Sequence, residues 1–111
     1  MKINVGDYVR TNDGYINKVK KVYEWNILVD ARDLFGEEIN IPNNEIMKFS
    51  PSIIDLIEVG DYVNGELVQY IIKHEDEVFI KTGFEDYSED EIKLIVTKEQ
   101  FEAMQYVVKE D

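Results

Sequence analysis

Apolar residues alternate with polar ones from the first positions. Ile3-Asn4-Val5-Gly6-Asp7-Tyr8-Val9 has the two-residue period of a strand with one buried face. Asn12-Asp13-Gly14 then reads as a tight turn, because asparagine and glycine tolerate the positive φ that hairpin turns require. Tyr15 to Tyr23 alternates again, and Ile27-Leu28-Val29 follows the polar break Glu24-Trp25-Asn26, which predicts a second hairpin. After an interruption at Gly36, Ile39-Asn40-Ile41 is a short strand. Pro42-Asn43-Asn44-Glu45-Ile46 is a turn or a single helical turn, and Met47-Lys48-Phe49 closes the series.

The series then repeats. Ile57-Glu58-Val59-Gly60-Asp61-Tyr62-Val63 copies the opening almost residue for residue, and Asn64-Gly65 supplies the turn. Glu66 to Lys73, the acidic loop Glu75-Asp76-Glu77, Val78-Phe79-Ile80, a break at Gly83, Ser88 to Ile92 and Lys93 to Val96 retrace the remaining outline. Asn44-Glu45-Ile46 thereby matches Asp90-Glu91-Ile92, so the second copy has the shorter middle. Two repeats follow, residues 1–54 and 55–111. Ser50-Pro51-Ser52 opens one short turn of helix between them, with Pro51 at the first helical position. This linker lacks glycine and is rich in apolar residues, unlike a flexible tether, so it holds the repeats rigidly together. Thr97-Lys98-Glu99-Gln100 is a capping box that starts a short C-terminal helix, with Phe101 and Met104 on one face. Tyr106-Val107-Val108 reads as a returning strand and Lys109-Glu110-Asp111 as a solvated tail.

The expected class is mainly β with minor α. A five-strand meander whose last strand follows one helical turn resembles small KOW-like or Tudor-like barrels, and the Gly-Asp-x-Val opening is similar to theirs. The resemblance implies two tandem barrel modules. About 50 residues per copy is close to the lower limit for an independent core, so the two are expected to pack together. Gly6 and Gly60 are expected to bulge or kink their strands. Asp7 and Asp61 share parity with Val5, Val9, Val59 and Val63; such a bulge would turn each aspartate outward, to accept backbone N–H bonds or to contact a ligand.

Charge changes the picture more than motif does. The chain carries a net −12. Residues 1–54 hold seven Lys/Arg against eight Asp/Glu, and residues 55–111 hold five against sixteen, so nearly all the excess lies in the second copy. Such a surface repels phosphate backbones and attracts basic proteins, although acidity also serves solubility alone. Cysteine is absent, which removes disulfides, thiol chemistry and cysteine zinc sites. With no basic and apolar leader and no run near the ~20 apolar residues of a membrane helix, a cytoplasmic protein of the host cell with no membrane contact is expected.

Catalytic signatures are lacking. His74 is the only histidine and sits beside the acidic loop; no carboxylate pair stands out as acid and base, and no phosphate-cradling glycine loop occurs. No enzymatic activity and no cofactor are expected. Glu85 to Glu91 could at most hold a divalent cation weakly, since it lacks the glycine that folds an oxygen cage. The candidates for partner binding are Glu75, Asp76, Glu77, Glu85, Asp86, Glu89, Asp90 and Glu91, which would converge on one rim and imitate a row of phosphates, with a solvated face as the other reading. Trp25 is either a lid on a barrel end or an exposed anchor for the partner. Tyr8 and Tyr62 are expected either to stack on a ligand or to lie buried between the modules.

Ile53 to Gly65, together with Ile95-Val96-Thr97-Lys98-Glu99-Gln100-Phe101, resembles small, mostly uncharacterised proteins of bacteriophages and mobile elements of low-GC Gram-positive bacteria. The opening Ile3 to Val9 and the closing Tyr106-x-Val108 fit the same pattern, leaving residues 20–45 as a variable middle. The resemblance implies a phage or mobile-element origin and assigns no catalytic residue. In size, origin and charge the chain is similar to anti-CRISPR proteins. The expected function is a non-enzymatic inhibitor that binds a basic host nucleic-acid-handling protein, such as a CRISPR effector nuclease, without itself binding nucleic acid. One alternative is a nucleic-acid-binding adaptor using Arg10, Lys18, Lys20 and Lys21 as phosphate contacts; another is a virion or cell-surface assembly protein.

Overall fold

The structure is a computed structural model that describes residues 2–30 and 38–105. The expected break at Gly36, the strand at Tyr106 to Val108 and the solvated tail lie outside these residues. The first repeat supplies β1 (Tyr8–Thr11), β2 (Ile16–Val22), β3 (Asn26–Asp30), β4 (Glu38–Pro42), a 3₁₀ turn at Asn43–Glu45 and β5 (Ile46–Ser50). A second 3₁₀ turn, Ile53–Leu56, leads to β6 (Tyr62–Val63), β7 (Glu66–His74), β8 (Glu77–Thr82), β9 (Asp86–Tyr87), a third 3₁₀ turn at Glu89–Glu91, β10 (Ile95–Val96) and α1 (Lys98–Met104). The result is mainly β: two five-stranded antiparallel sheets, ordered β4-β3-β2-β1-β5 and β10-β6-β7-β8-β9, and one short C-terminal helix. Each first strand pairs with both the second and the last strand of its own repeat. The sequence outline missed β9, whose two residues are too few to show a period.

Each sheet packs against its own apolar cluster. Ile3, Val9, Val19, Ile27, Val29 and Ile41 form the first, and Ile54, Ile57, Val63, Val68, Ile80 and Tyr87 the second. Of the alternating hairpin residues, Val9, Val19, Ile27, Val29, Val63, Val68 and Ile80 end up inside, whereas Tyr15, Val22, Tyr23, Leu67, Tyr70 and Ile72 are exposed.

The repeated opening departs from the expectation of a bulged strand. Asn4-Val5-Gly6-Asp7 is a β-turn, with the Asp7 N–H donating to the Asn4 carbonyl at 3.1 Å and Gly6 at φ +92. Glu58-Val59-Gly60-Asp61 repeats it at 3.1 Å with Gly60 at φ +100, the sign a type II turn requires at its third position. Val5 and Val59 therefore project into solvent, and only Val9 and Val63 point inward. The aspartates do not turn outward: Asp7 and Asp61 are buried, and each carboxylate accepts the N–H of the residue that opens its turn. The bulge lies one strand away. In both repeats the turn glycine donates to β2 or β7 at Val19 or Val68, and the register shifts immediately beyond that residue.

Between the sheets, Ile53–Leu56 buries Ile54 and Leu56 and packs against β1, β5 and β8, so the linker is fixed to both repeats. Ser52 caps this turn, which leaves Pro51 outside the helix rather than at its first position.

Candidate partner-binding surface and the polar seam

The seam between the repeats is polar at its centre. Arg10, on β1, is 1% exposed and reaches into the second repeat. Its Nη1 donates to the Leu56 carbonyl at 2.9 Å and to Asp61 Oδ2, while Nη2 donates to Asp61 Oδ1 at 3.0 Å and to Glu99 Oε2 at 2.7 Å. The forked guanidinium thus grips Asp61 with two parallel bonds, the geometry that makes arginine strong at buried carboxylates. Asp61 also accepts the N–H groups of Glu58 and Lys98, at 2.7 and 2.9 Å. Burial alone would lower the Arg10 pKa, but Asp61, Glu58 and Glu99 outweigh it and raise the value.

Around this pair the contacts continue. Thr97 Oγ1 donates to the Gly14 carbonyl at 2.7 Å while capping α1. Glu58 bridges Lys48 at 3.1 Å and Lys98 at 2.8 Å. Burial raises the Glu58 pKa, yet the hydrogen bonds from Lys98 and Lys48 and the Arg10 charge prevail and hold it down at about 2. Tyr62 stacks on Phe101 of α1 with ring centroids 4.6 Å apart, and Lys18 lies 5.7 Å above the Tyr8 ring. Both tyrosines are partly exposed, so neither is buried between the modules, and Tyr62 has an aromatic partner within the chain.

Where the linker meets the β7–β8 hairpin of the second repeat lies a cleft of about 380 Å³, whose acidic lining is Asp55, Asp76, Glu77, Glu89 and Asp90. Four of these were predicted from the sequence. Asp55 was missed, because its place in the linker gave no sign that the 3₁₀ turn would face the β7–β8 hairpin. Among the described residues none of the five forms an ion pair; Asp55 accepts the Ser50 hydroxyl at 2.7 Å, and Lys93 Nζ reaches only the Asp90 carbonyl, at 3.3 Å.

The other predicted residues do not join this cleft. Glu75 stands at the hairpin tip with φ +55. Glu91 accepts both the Ser88 N–H and hydroxyl, at 3.0 and 2.9 Å, and these bonds lower its pKa. Glu85 and Asp86 lie toward the other end of β8, where Asp86 pairs with Lys81 and the Glu85 carbonyl accepts the Thr82 N–H at 2.9 Å. Trp25 is 77% exposed at the β2–β3 tip of the first repeat. No group of three or more His, Cys, Asp or Glu suited to a metal ion occurs among the described residues.

Comparison with protein-family models, with curated proteins and with solved structures returned no match. Among the described residues no helix is long and apolar enough to cross a membrane.

Two of the four phosphate contacts of the adaptor alternative are otherwise engaged. Arg10 is sealed in the seam, and Lys20 bonds Glu38 at 2.7 Å with Asp30 at 3.4 Å. Arg10 looked like a surface cation because strand parity ignores what a second sheet can bury.

A further polar group was also missed. Glu66 accepts the hydroxyls of Thr82, at 2.6 Å, and of Tyr87. The Glu66 bond, with burial and the Glu66 charge adding to it, pushes the Tyr87 pKa up to about 12. By the strand registers, Thr82 and Tyr87 take the places of Val29 and Ile41 in the first repeat.

Proposed function

We propose that this protein is a non-enzymatic binding protein whose second repeat docks on a basic surface of a nucleic-acid-handling protein and blocks access to it. The observation that carries this reading is the cleft at Asp55, Asp76, Glu77, Glu89 and Asp90, five carboxylates with no ion pair among the described residues. In the seam the same residue types are matched by Arg10, Lys48 and Lys98. Unmatched carboxylates on a firm support favour a cationic partner and speed its approach. The resemblance to small phage and mobile-element proteins makes a host defence nuclease, such as a CRISPR effector, the partner we favour. We read each sheet as a small KOW-like or Tudor-like barrel, with β1 and β6 each shared between the two halves.

The test is capture from a Gram-positive host lysate on the tagged protein, with elution by stepped salt. The triple variant Asp76→Lys, Glu89→Lys, Asp90→Lys is expected to capture at least tenfold less of a basic nucleic-acid enzyme, with Glu85→Lys, Asp86→Lys as the control at the other end of β8. Equal capture by the triple variant would remove the reading. A gel shift of bare DNA or RNA at low salt would instead support the adaptor.

A further inference from the structure

The two repeats differ at one backbone position. In the first, the Asn43 N–H donates to the Trp25 carbonyl at 3.0 Å and closes the end of the sheet beside β3. The registers Ile27 with Ile41 and Ile80 with Tyr87 make Trp25 equivalent to Val78, and Asn43 equivalent to Glu89. No matching bond from Glu89 to Val78 occurs among the described residues, and the acidic cleft occupies that place.

β9 pairs only with Ile80 and Lys81 of β8. Thr82 donates its N–H toward this side, to the Glu85 carbonyl at 2.9 Å. Backbone groups of an antiparallel strand alternate in direction, so Ile80 and then Val78 face the same way. The Val78 N–H and C=O are therefore directed into the cleft, past the end of β9. Residues 76–79 form one wall, with Ser88, Glu89 and Asp90 opposite.

We propose that this open edge of β8 is a slot for an extended, Lys/Arg-rich segment of the partner, which adds as a short strand beside Val78. The proposal rests on the docking reading above and specifies its chemistry. Strand addition gives affinity through main-chain bonds and specificity through alternate side chains. Here Asp76, Glu77, Glu89, Asp90 and Asp55 would meet the cationic ones, while Phe79 and Ile54 supply apolar contact. Charge complementarity selects this occupant over a second copy of the chain, which carries −12 itself.

The test uses the full-length protein with two capped hexapeptides of equal charge, one of Lys-Val repeats and one of Lys-Pro repeats, which lacks the alternate N–H donors of a strand. In the free protein the Val78 amide is expected to exchange with solvent at least tenfold faster than that of Ile80. The Lys-Val peptide should slow it about tenfold and bind at least tenfold tighter than the Lys-Pro peptide. Asp76→Asn, Glu89→Gln, Asp90→Asn should weaken that binding about tenfold with the amide spectrum otherwise retained. Equal affinity for the two peptides, absence of binding, or a Val78 amide already as protected as Ile80 overturns the slot. The docking reading is decided separately, by capture with the charge-reversed triple variant. A neutralised variant that self-associates with unchanged peptide affinity would show that the acids only guard an open edge, and would also overturn the slot.

Discussion

Asp7 and Asp61 close the same turn in the two repeats, and their surroundings differ. Asp7 accepts the Asn4 N–H at 3.0 Å and serves its own turn. Asp61 accepts two backbone N–H groups and a two-pronged arginine from the other repeat, and it is wholly buried. A local turn device in one copy is the joint of the whole molecule in the other. Duplication supplied two equal carboxylates, and position decided which one became the anchor.

The sharpest way to break this comparison is to remove one partner on each side. Arg10→Ala leaves Asp61 buried without its cation and is expected to cost about 3–5 kcal/mol in urea unfolding, against about 1 kcal/mol for Asp7→Ala. Equal losses would mean that the seam is no more than a pair of turns.

The hairpin glycines offer a second contrast. Gly14 has φ +86, and a methyl group there would collide with Thr97 Oγ1 and come within 2.7 Å of Glu99 Cβ. Gly65 has φ +82 and open space around it. Gly14→Ala should therefore cost about 3 kcal/mol, from backbone strain plus displacement of α1. Gly65→Ala pays only the left-handed backbone, about 1 kcal/mol. Thermal melts of the two variants separate the contributions.

Acid provides the mildest probe. The Glu58 carboxyl is held at about 2, below its ordinary 4.5, so its contribution is full above pH 4.5 and is lost as pH falls through about 2. With the side chain 27% exposed, the loss should be about 2 kcal/mol. Glu58→Gln should flatten that part of the stability profile, and an unchanged acid limb would show that Lys48 and Lys98 contribute nothing.

The fold was legible where local periodicity rules. The hairpins, their turns at Asn12 to Gly14 and Asn64-Gly65, the cap at Thr97 and the repeat itself follow from spacing and from residues that accept positive φ. The openings were misread because Gly6 and Gly60 take the third position of a turn, whereas alternation alone extends the strand back to Ile3 and Ile57. The acidic cleft was half legible. Asp76 and Glu77 are local to one hairpin, and Glu89 and Asp90 to one helical turn. Their meeting with Asp55, and the separation from Glu85 and Asp86, depend on which end of β8 faces the linker. Arg10 was hidden for the same reason, since its partners lie 46 to 89 residues away.

That separation bears on how the chain is made. Translation proceeds at roughly 5–20 residues per second, so about 4–18 s pass between the synthesis of Arg10 and that of Glu99. Asp61 follows 51 residues after Arg10, and a ribosome that stalls before it leaves the guanidinium of the first repeat without the carboxylate that clasps it. The helix that carries Glu99 is the last of the described elements to emerge, and it adds the second carboxylate to the guanidinium of the first strand.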